Sequence, residues 1–261
     1  MSAIILDGSM VHYEALGRGR PIIFLHGWVG SWRYWINAMQ ASSTSFRAYA
    51  LDFFGFGDSD RNKNHYTIEK QAELLDRFLN NLGIGKVALV GHDLGALVGF
   101  QYFKAHIESV DRIMAINVPL EYDLLTARMR TAPATDLAEW LTNRQPEALT
   151  ALSDASKVDP EAVSVSMSSL QGYSIFPQVR NFGVPCLFVY GANNPALASI
   201  PFQDNALPMH MHQITLENSG HFPMLDNTPQ FNRLLVDFLA LDSGASPTEL
   251  QMKEEWKRRV R

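Results

Sequence analysis

The residue of greatest chemical interest is Asp93, in the stretch Val87-Ala-Leu-Val-Gly-His-Asp-Leu-Gly-Ala96. An apolar run of strand length, Val87 to Val90, leads into Gly91-His-Asp-Leu-Gly95, and a helix-like pattern follows from Ala96 to Lys104. Strand, sharp turn and helix joined through Gly-x-nucleophile-x-Gly make a nucleophile elbow, which pushes the middle side chain out at the end of the strand. The glycines are needed where neighbouring backbone comes too close for a Cβ. Where Ser is the usual middle residue, this chain has Asp93, and the N–H of Leu94 is placed to help hold an oxyanion. Other reactive residue types offer less. Cys186 lies in the apolar run Val184–Tyr190 and reads as a buried thiol. His12, His65, His106, His210 and His212 form no metal-ligand spacing, so no metal is expected. Gly55-Phe-Gly57 lacks the Lys and the following helix of a phosphate loop. No cofactor is implied.

The elements that must position Asp93 follow from periodicity. Ala3–Leu6 and Met10–Ala15 alternate around Asp7-Gly8-Ser9, a hairpin pattern. Ile22–Leu25 predicts a strand running into His26-Gly-Trp-Val-Gly30, with Ser31 capping a helix to about Ala41. Phe46–Leu51 predicts the next strand, ending at Asp52. Thr67–Leu82 carries Ile68, Ala72, Leu75, Phe78, Leu79 and Leu82 on one helical stripe. Val110–Ile116, Val184–Tyr190 and His212–Leu216 are further strands, and Gln230–Ala240 a closing helix. Alternation of strands and helices predicts a mostly parallel, eight-stranded sheet with helices on both faces. Between about Val118 and Asn181 strand patterns stop; helical segments such as Asp136–Asn143 and Pro146–Leu152 are separated by Pro133, Pro146 and Pro160. The expected organisation is a core of residues 1–117 and 182–241, a helical lid at 118–181, and a charged tail at 242–261 that could serve a homo-oligomer contact.

Composition bounds the rest. The chain has 261 residues, 46% hydrophobic and 19% charged, which suits one large α/β domain with an insertion. A net charge of −5 argues against a nucleic-acid partner. No apolar stretch reaches the length of about 18 residues that a membrane span needs, and no leader pattern is visible. The expectation is a cytoplasmic protein acting on a small molecule, and one cysteine leaves no internal disulfide.

Four motifs in order, His26-Gly-Trp-Val-Gly30, Asp52 with Gly55-Phe-Gly-Asp-Ser59, Gly91-His-Asp-Leu-Gly95, and Ser219-Gly-His221-Phe-Pro, each close an expected strand or precede a helix. Over residues 1–241 the chain thereby resembles the α/β-hydrolase superfamily. With Asp at the elbow it is similar to the epoxide hydrolases and the haloalkane or haloacid dehalogenases. The resemblance implies Asp93 as nucleophile, His221 as base, and the backbone N–H groups of Trp28 and Leu94 as oxyanion donors. A carboxylate is a poor attacker of esters but can open an epoxide or displace halide at an sp³ carbon, forming an alkyl ester. A water activated by His221 would then hydrolyse that ester.

Relatives orient the His with an acid after the seventh strand or after the sixth. The matching positions here are Asn194 (or Asn193) and Asn117, the latter 24 residues past Asp93. Glu121 and Asp123, just beyond the sixth strand, are candidates to replace the acid, the alternative being that they solvate the lid entrance. Leu94 replaces the Trp that haloalkane dehalogenases use for halide, the elbow helix has no Arg, and Trp28-Val29-Gly30 lacks the Pro usual in epoxide hydrolases. Tyr122 and Tyr173 are expected to face the epoxide oxygen. Trp28 and Phe222 would line the substrate pocket, with Leu124, Leu125, Met129, Trp140 and Phe176 making the lid apolar. His26 and His92 read as loop-bracing residues. Epoxide opening ranks above halide displacement, since it needs no halide cradle. The alternative is a non-hydrolytic binding protein, or a cofactor-free lyase or isomerase, because both acid positions are Asn.

Overall fold

The computed structural model describes residues 2–6, 8–142, 148–171, 174–202, 207–242 and 245–250. Eight strands form one sheet: β1 (Ser2–Leu6), β2 (Ser9–Gly17), β3 (Arg20–Leu25), β4 (Phe46–Leu51), β5 (Val87–His92), β6 (Val110–Ile116), β7 (Cys186–Gly191) and β8 (Met211–Leu216). Their spatial order is β1-β2-β4-β3-β5-β6-β7-β8. β1 and β2 pair antiparallel, as do β2 and β4; every later pairing is parallel. All six residues of β5 and of β7 are buried. Strands apolar along their whole length need cover on both faces, as parallel sheets require.

The core helices are α1 (Ile36–Ser42), α2 (Ile68–Asn81) and α3 (Leu94–Ala105). α4 (Ala127–Thr131), α5 (Ala134–Thr142), α6 (Leu149–Ala155), α7 (Pro160–Ser168) and α8 (Phe176–Val179) all fall between β6 and β7, where the sequence predicts helices only. α9 (Pro223–Asp226) and α10 (Thr228–Ala240) follow β8. α1 packs beside α10 and α2 beside α3. The α2 stripe is buried at Ile68, Ala72, Leu75, Phe78 and Leu79, and Thr67 caps the helix by accepting the Lys70 N–H. Arg112, 1% exposed, donates to the carbonyls of Phe238 and Leu241 and closes the C-terminus of α10.

One local expectation changes. Ser31 caps a 3₁₀ turn, Trp32–Trp35, and not the start of one long helix; α1 begins only at Ile36. The reason is that Ser31 and Arg33 are drawn to α6: Ser31 Oγ donates to Asp154, and the Arg33 guanidinium lies 3.4 Å from the same carboxylate. Of the segment expected over Pro146–Leu152, Leu149–Ala155 is helix α6; residues 143–147, like Asp7 of the hairpin turn and residues 251–261 of the tail, lie outside the described residues. Pro160 separates α6 from α7, as the sequence leads one to expect, by opening α7, which Asp159 caps. No helix of the described chain is long and apolar enough to cross a membrane.

Candidate active site

Asp93 joins β5 to α3 with φ 57° and ψ −117°, outside the regions a side chain ordinarily favours. The turn leaves no room around it. A Cβ on Gly91 would stand 2.5 Å from the Ala96 nitrogen, and one on Gly95 would stand 2.2 Å from the Leu25 carbonyl oxygen. The glycines therefore let α3 fold back against β3 and β5, and that packing holds the strained Asp93 in place. Leu94 opens α3, so its N–H belongs to the first turn, which has no partner within the helix. The Gly27–Trp28 loop closes from the other side: a Cβ on Gly27 would meet Asp93 Cβ at 2.7 Å.

His221, at the end of the loop after β8, brings Nε2 to 3.3 Å from Asp93 Oδ2, and both residues are 1% exposed. Its Nδ1 lies 3.0 Å from Asn194 Oδ1. Asn194 Oδ1 also accepts the Ala196 N–H at 3.1 Å, which fixes the amide orientation. The His221 proton then sits on Nδ1, and Nε2 presents its lone pair toward Asp93. An Asn in this place fixes the tautomer and the orientation of the imidazole. It does not supply a charge to stabilise the imidazolium.

Electrostatics follow from burial. Desolvation pushes the Asp93 carboxyl up to about 7, against the opposing pull of His92 and the Trp28 N–H. Neither Asp93 oxygen has a hydrogen bond of ordinary geometry among the described residues. Burial holds His221 down to about 3. Burial, and then the neighbouring His221, do the same for His92. The centre is thus a buried pair in which burial keeps His221 neutral and raises the Asp93 carboxyl toward neutrality.

A second layer of side chains holds the loops; His26 and His92 read as braces from the sequence, Tyr34 and Asn117 did not. The Gly27 N–H donates to Tyr34 Oη at 2.5 Å, Tyr34 Oη lies 3.1 Å from His92 Nδ1, and His92 Nε2 lies 2.8 Å from the His221 carbonyl. Asn117 Nδ2 donates to the carbonyls of Gly220 at 3.1 Å and His221 at 2.9 Å, while its Oδ1 accepts the Gly191 N–H at 3.0 Å. Asn117 is therefore occupied as a brace between β7 and the His221 loop, not as the group that orients the imidazole. His26 is tied to the Gly27 carbonyl at 2.8 Å and accepts the Phe53 N–H at 3.1 Å. Only the tendency of Asn to adopt positive φ, 48° at Asn117, could have hinted at a structural role there.

The remaining expected site residues divide. Trp28 is fully buried, and its Nε1 donates to Ser166 Oγ of α7 at 2.9 Å, so it links the loop after β3 to α7. Phe222 is fully buried with its ring centroid 4.7 Å from that of His221. Tyr122 is partly buried at the lid entrance with the Arg130 guanidinium 5.1 Å from its ring centroid; no contact among the described residues joins it to Asp93. Glu121 accepts from Ser174, and Asp123 is 93% exposed beside Arg130, so neither substitutes for the acid at His221. Tyr173 and the side chain of Phe176 lie outside what the structure describes. His92, Asp93 and His221 also stand close enough to share a cation, but both His92 nitrogens are already engaged. In the similar trio His12, Asp52 and Asp58, the Asp58 carboxylate is held by Arg33 at 2.6 Å and Lys157 at 2.7 Å.

Comparison with known proteins agrees with this geometry. The family model described as the alpha/beta hydrolase fold matches residues 20–159, more than half of the chain. The soluble epoxide hydrolase of Corynebacterium sp. (strain C12) is 31% identical over 114 residues, 44% of this chain and 40% of that protein. A haloalkane dehalogenase of Sphingobium indicum is 35% identical over 127 residues, 46% of this chain and 43% of that protein. The matched part thus spans under half the length of these curated relatives. Among solved structures, the enol-lactonase from Burkholderia xenovorans LB400 superposes with a TM-score of 0.78 at 20% identity, over 92% of this chain and 100% of the other. The epoxide hydrolase CorEH superposes with a TM-score of 0.74 at 18% identity, over 92% and 98%. At those identities the structures speak for the fold alone. Sheet order and family match together place the chain in the α/β-hydrolase family.

Proposed function

We propose that the protein is a hydrolase that opens an epoxide, or in second place displaces halide, on a small and mostly apolar substrate through an alkyl ester on Asp93. The observation that carries this reading is the elbow carboxylate itself, 3.3 Å from a neutral His221 whose lone pair faces it. One Asp93 oxygen attacks the sp³ carbon in line with the breaking C–O bond; the epoxide oxygen leaves as an alkoxide and takes a proton from a lid group, with Tyr122 the described candidate. Water then gives a proton to His221 Nε2 and attacks the ester carbonyl carbon. The oxyanion is held by the N–H groups of Trp28 and Leu94; collapse breaks the ester C–O bond, the leaving alkoxide takes its proton from His221, and the proton left on the Asp93 carboxyl returns to the lid group, restoring the carboxylate. Desolvation favours the first step, because an ionised carboxylate with few hydrogen bonds is a stronger nucleophile. Halide displacement ranks lower because Leu94 offers no indole N–H and that of Trp28 is engaged by Ser166.

A second reading, a non-hydrolytic binding or pseudoenzyme descendant or a cofactor-free lyase or isomerase, is favoured by one observation: Asn194 and Asn117 leave no carboxylate on the imidazole. Intact-protein mass after mixing His221→Ala with epoxides, haloalkanes and activated esters separates the two. A stable adduct mapped to Asp93 from the epoxide set supports the ester route. An adduct only from haloalkanes reverses the ranking, and no adduct from any class supports the second reading.

A further inference from the structure

His92 closes β5 immediately before Asp93, is fully buried, and has both ring nitrogens engaged. What each partner can do fixes where its proton sits. The His221 carbonyl, 2.8 Å from Nε2, can only accept, so the neutral ring carries its proton on Nε2. Nδ1 is then an acceptor. Tyr34 Oη, 3.1 Å from it, already accepts the Gly27 N–H and turns its own proton to Nδ1. Burial holds His92 down to about 3, so this order persists at neutral pH. One chain of donors thus runs from the Gly27 N–H through Tyr34 and His92 and ends on the main chain of His221.

The two ends of that chain are not equally dependent on it. At the Gly27 end the loop is also packed directly on the elbow, since a Cβ on Gly27 would meet Asp93 Cβ at 2.7 Å. At the other end the bonds carry more. The His221 carbonyl accepts Asn117 Nδ2 at 2.9 Å as well as His92 Nε2, so both of its lone pairs are used and its direction is fixed. The His92 ring also lies against that of His221, with centroids 4.8 Å apart at 63°. His92 therefore meets the base at its main chain and at its ring, whereas Asn194 meets it at Nδ1 alone.

We propose that His92 is a positioning residue for His221, and that the bond from His92 Nε2–H to the His221 carbonyl sets where the imidazole stands relative to Asp93. Its effect on turnover rests on the reading of Asp93 as nucleophile and His221 as base. Its effect on the His221 ring does not. The hydrolytic step feels a misplaced base, because His221 Nε2 must reach a water poised at the ester carbon. The attack by Asp93 feels it less.

Two substitutions separate the nitrogens. The amide nitrogen of His92→Gln falls near the place of Nε2 and keeps the bond to the His221 carbonyl. The amide oxygen of His92→Asn falls near the place of Nδ1 and keeps only the Tyr34 side. Nitrogen NMR on protein labelled at histidine reads the tautomer of His221, and single turnovers with epoxides and haloalkanes read ester formation and ester hydrolysis separately. The expected result is His221 protonated on Nδ1 alone in the unsubstituted protein and in His92→Gln, and a mixture of tautomers in His92→Asn. Ester hydrolysis in His92→Asn should be slower than in His92→Gln by about tenfold or more, with a smaller change in ester formation. Equal behaviour of the two variants, or better retention by His92→Asn, would overturn the proposal. So would a proton on Nδ1 of His92 in the unsubstituted protein, a measurement that needs neither variant to fold. If no ester forms in any of the proteins, the Asp93 reading fails, and the tautomer comparison at His221 decides the positioning role by itself.

Discussion

The ends of β6 and β7 carry the same residue type in the two places where an acid would be sought, and the structure uses them in opposite ways. At the end of β6, Asn117 turns its amide into the backbone: two carbonyls accept from Nδ2, and one N–H donates to Oδ1. After β7, Asn194 turns its oxygen to the imidazole of His221. One needs a donor and an acceptor on the same side chain, which only an amide supplies. The other needs only an acceptor, which a carboxylate would supply with a charge added. A position in a motif therefore does not assign a role; the bonds already made by the side chain do.

The comparison is broken most severely at Asn117. Asn117→Asp would set a buried carboxylate against the carbonyl oxygens of Gly220 and His221, at a cost of about 3 kcal/mol or more. Chemical denaturation should show that loss with no gain in turnover; a stable and faster enzyme would make Asn117 the true acid position. Asn194→Asp should do the reverse, keeping the fold and raising ester hydrolysis by roughly 10²-fold in single-turnover kinetics. The corresponding loss in serine proteases is about 10⁴, but part of that arises from a wrong tautomer, which the Ala196 contact here prevents.

The elbow strand, the helices between β6 and β7 and the proximity of Asp93, His221 and Asn194 were legible because strand-to-helix turns and short motifs are local. The brace at Asn117 was not, because its partners at Gly191, Gly220 and His221 are more than 70 residues away in sequence. Tyr34 was missed for a similar reason: it reads as an ordinary aromatic of a helix start, and only the closure of the Gly27 loop onto His92 gives its hydroxyl work. The division of the lid was partly visible, since Pro133 and Pro160 mark breaks, but not the Trp28–Ser166 and Ser31–Asp154 contacts that tie it down.

Acidity sharpens the contrast further. Asp93 must be ionised to attack, and burial raises it to about 7 while His221, held near 3, stays neutral over the same range. Adduct formation in His221→Ala should thus fall about tenfold per pH unit below 7 and level off above it. A flat profile down to pH 5 would mean that Asp93 is not the group reacting. The smallest expected effect is at Tyr34. Tyr34→Phe leaves the Gly27 N–H and His92 Nδ1 without their partner, costing about 1–2 kcal/mol. Stability should fall by that amount while Asn194 and His221 remain paired.

The ester on Asp93 is tested most directly by following its oxygen. Enzyme in excess is given the panel epoxide it turns over fastest, for one turnover, in heavy-oxygen water. Because the first step uses an Asp93 oxygen and the second attacks the carbonyl carbon, the diol should leave without label and the peptide containing Asp93 should gain it. Label in the first-turnover diol, with none in Asp93, would mean that water attacks the substrate directly, and would contradict the account.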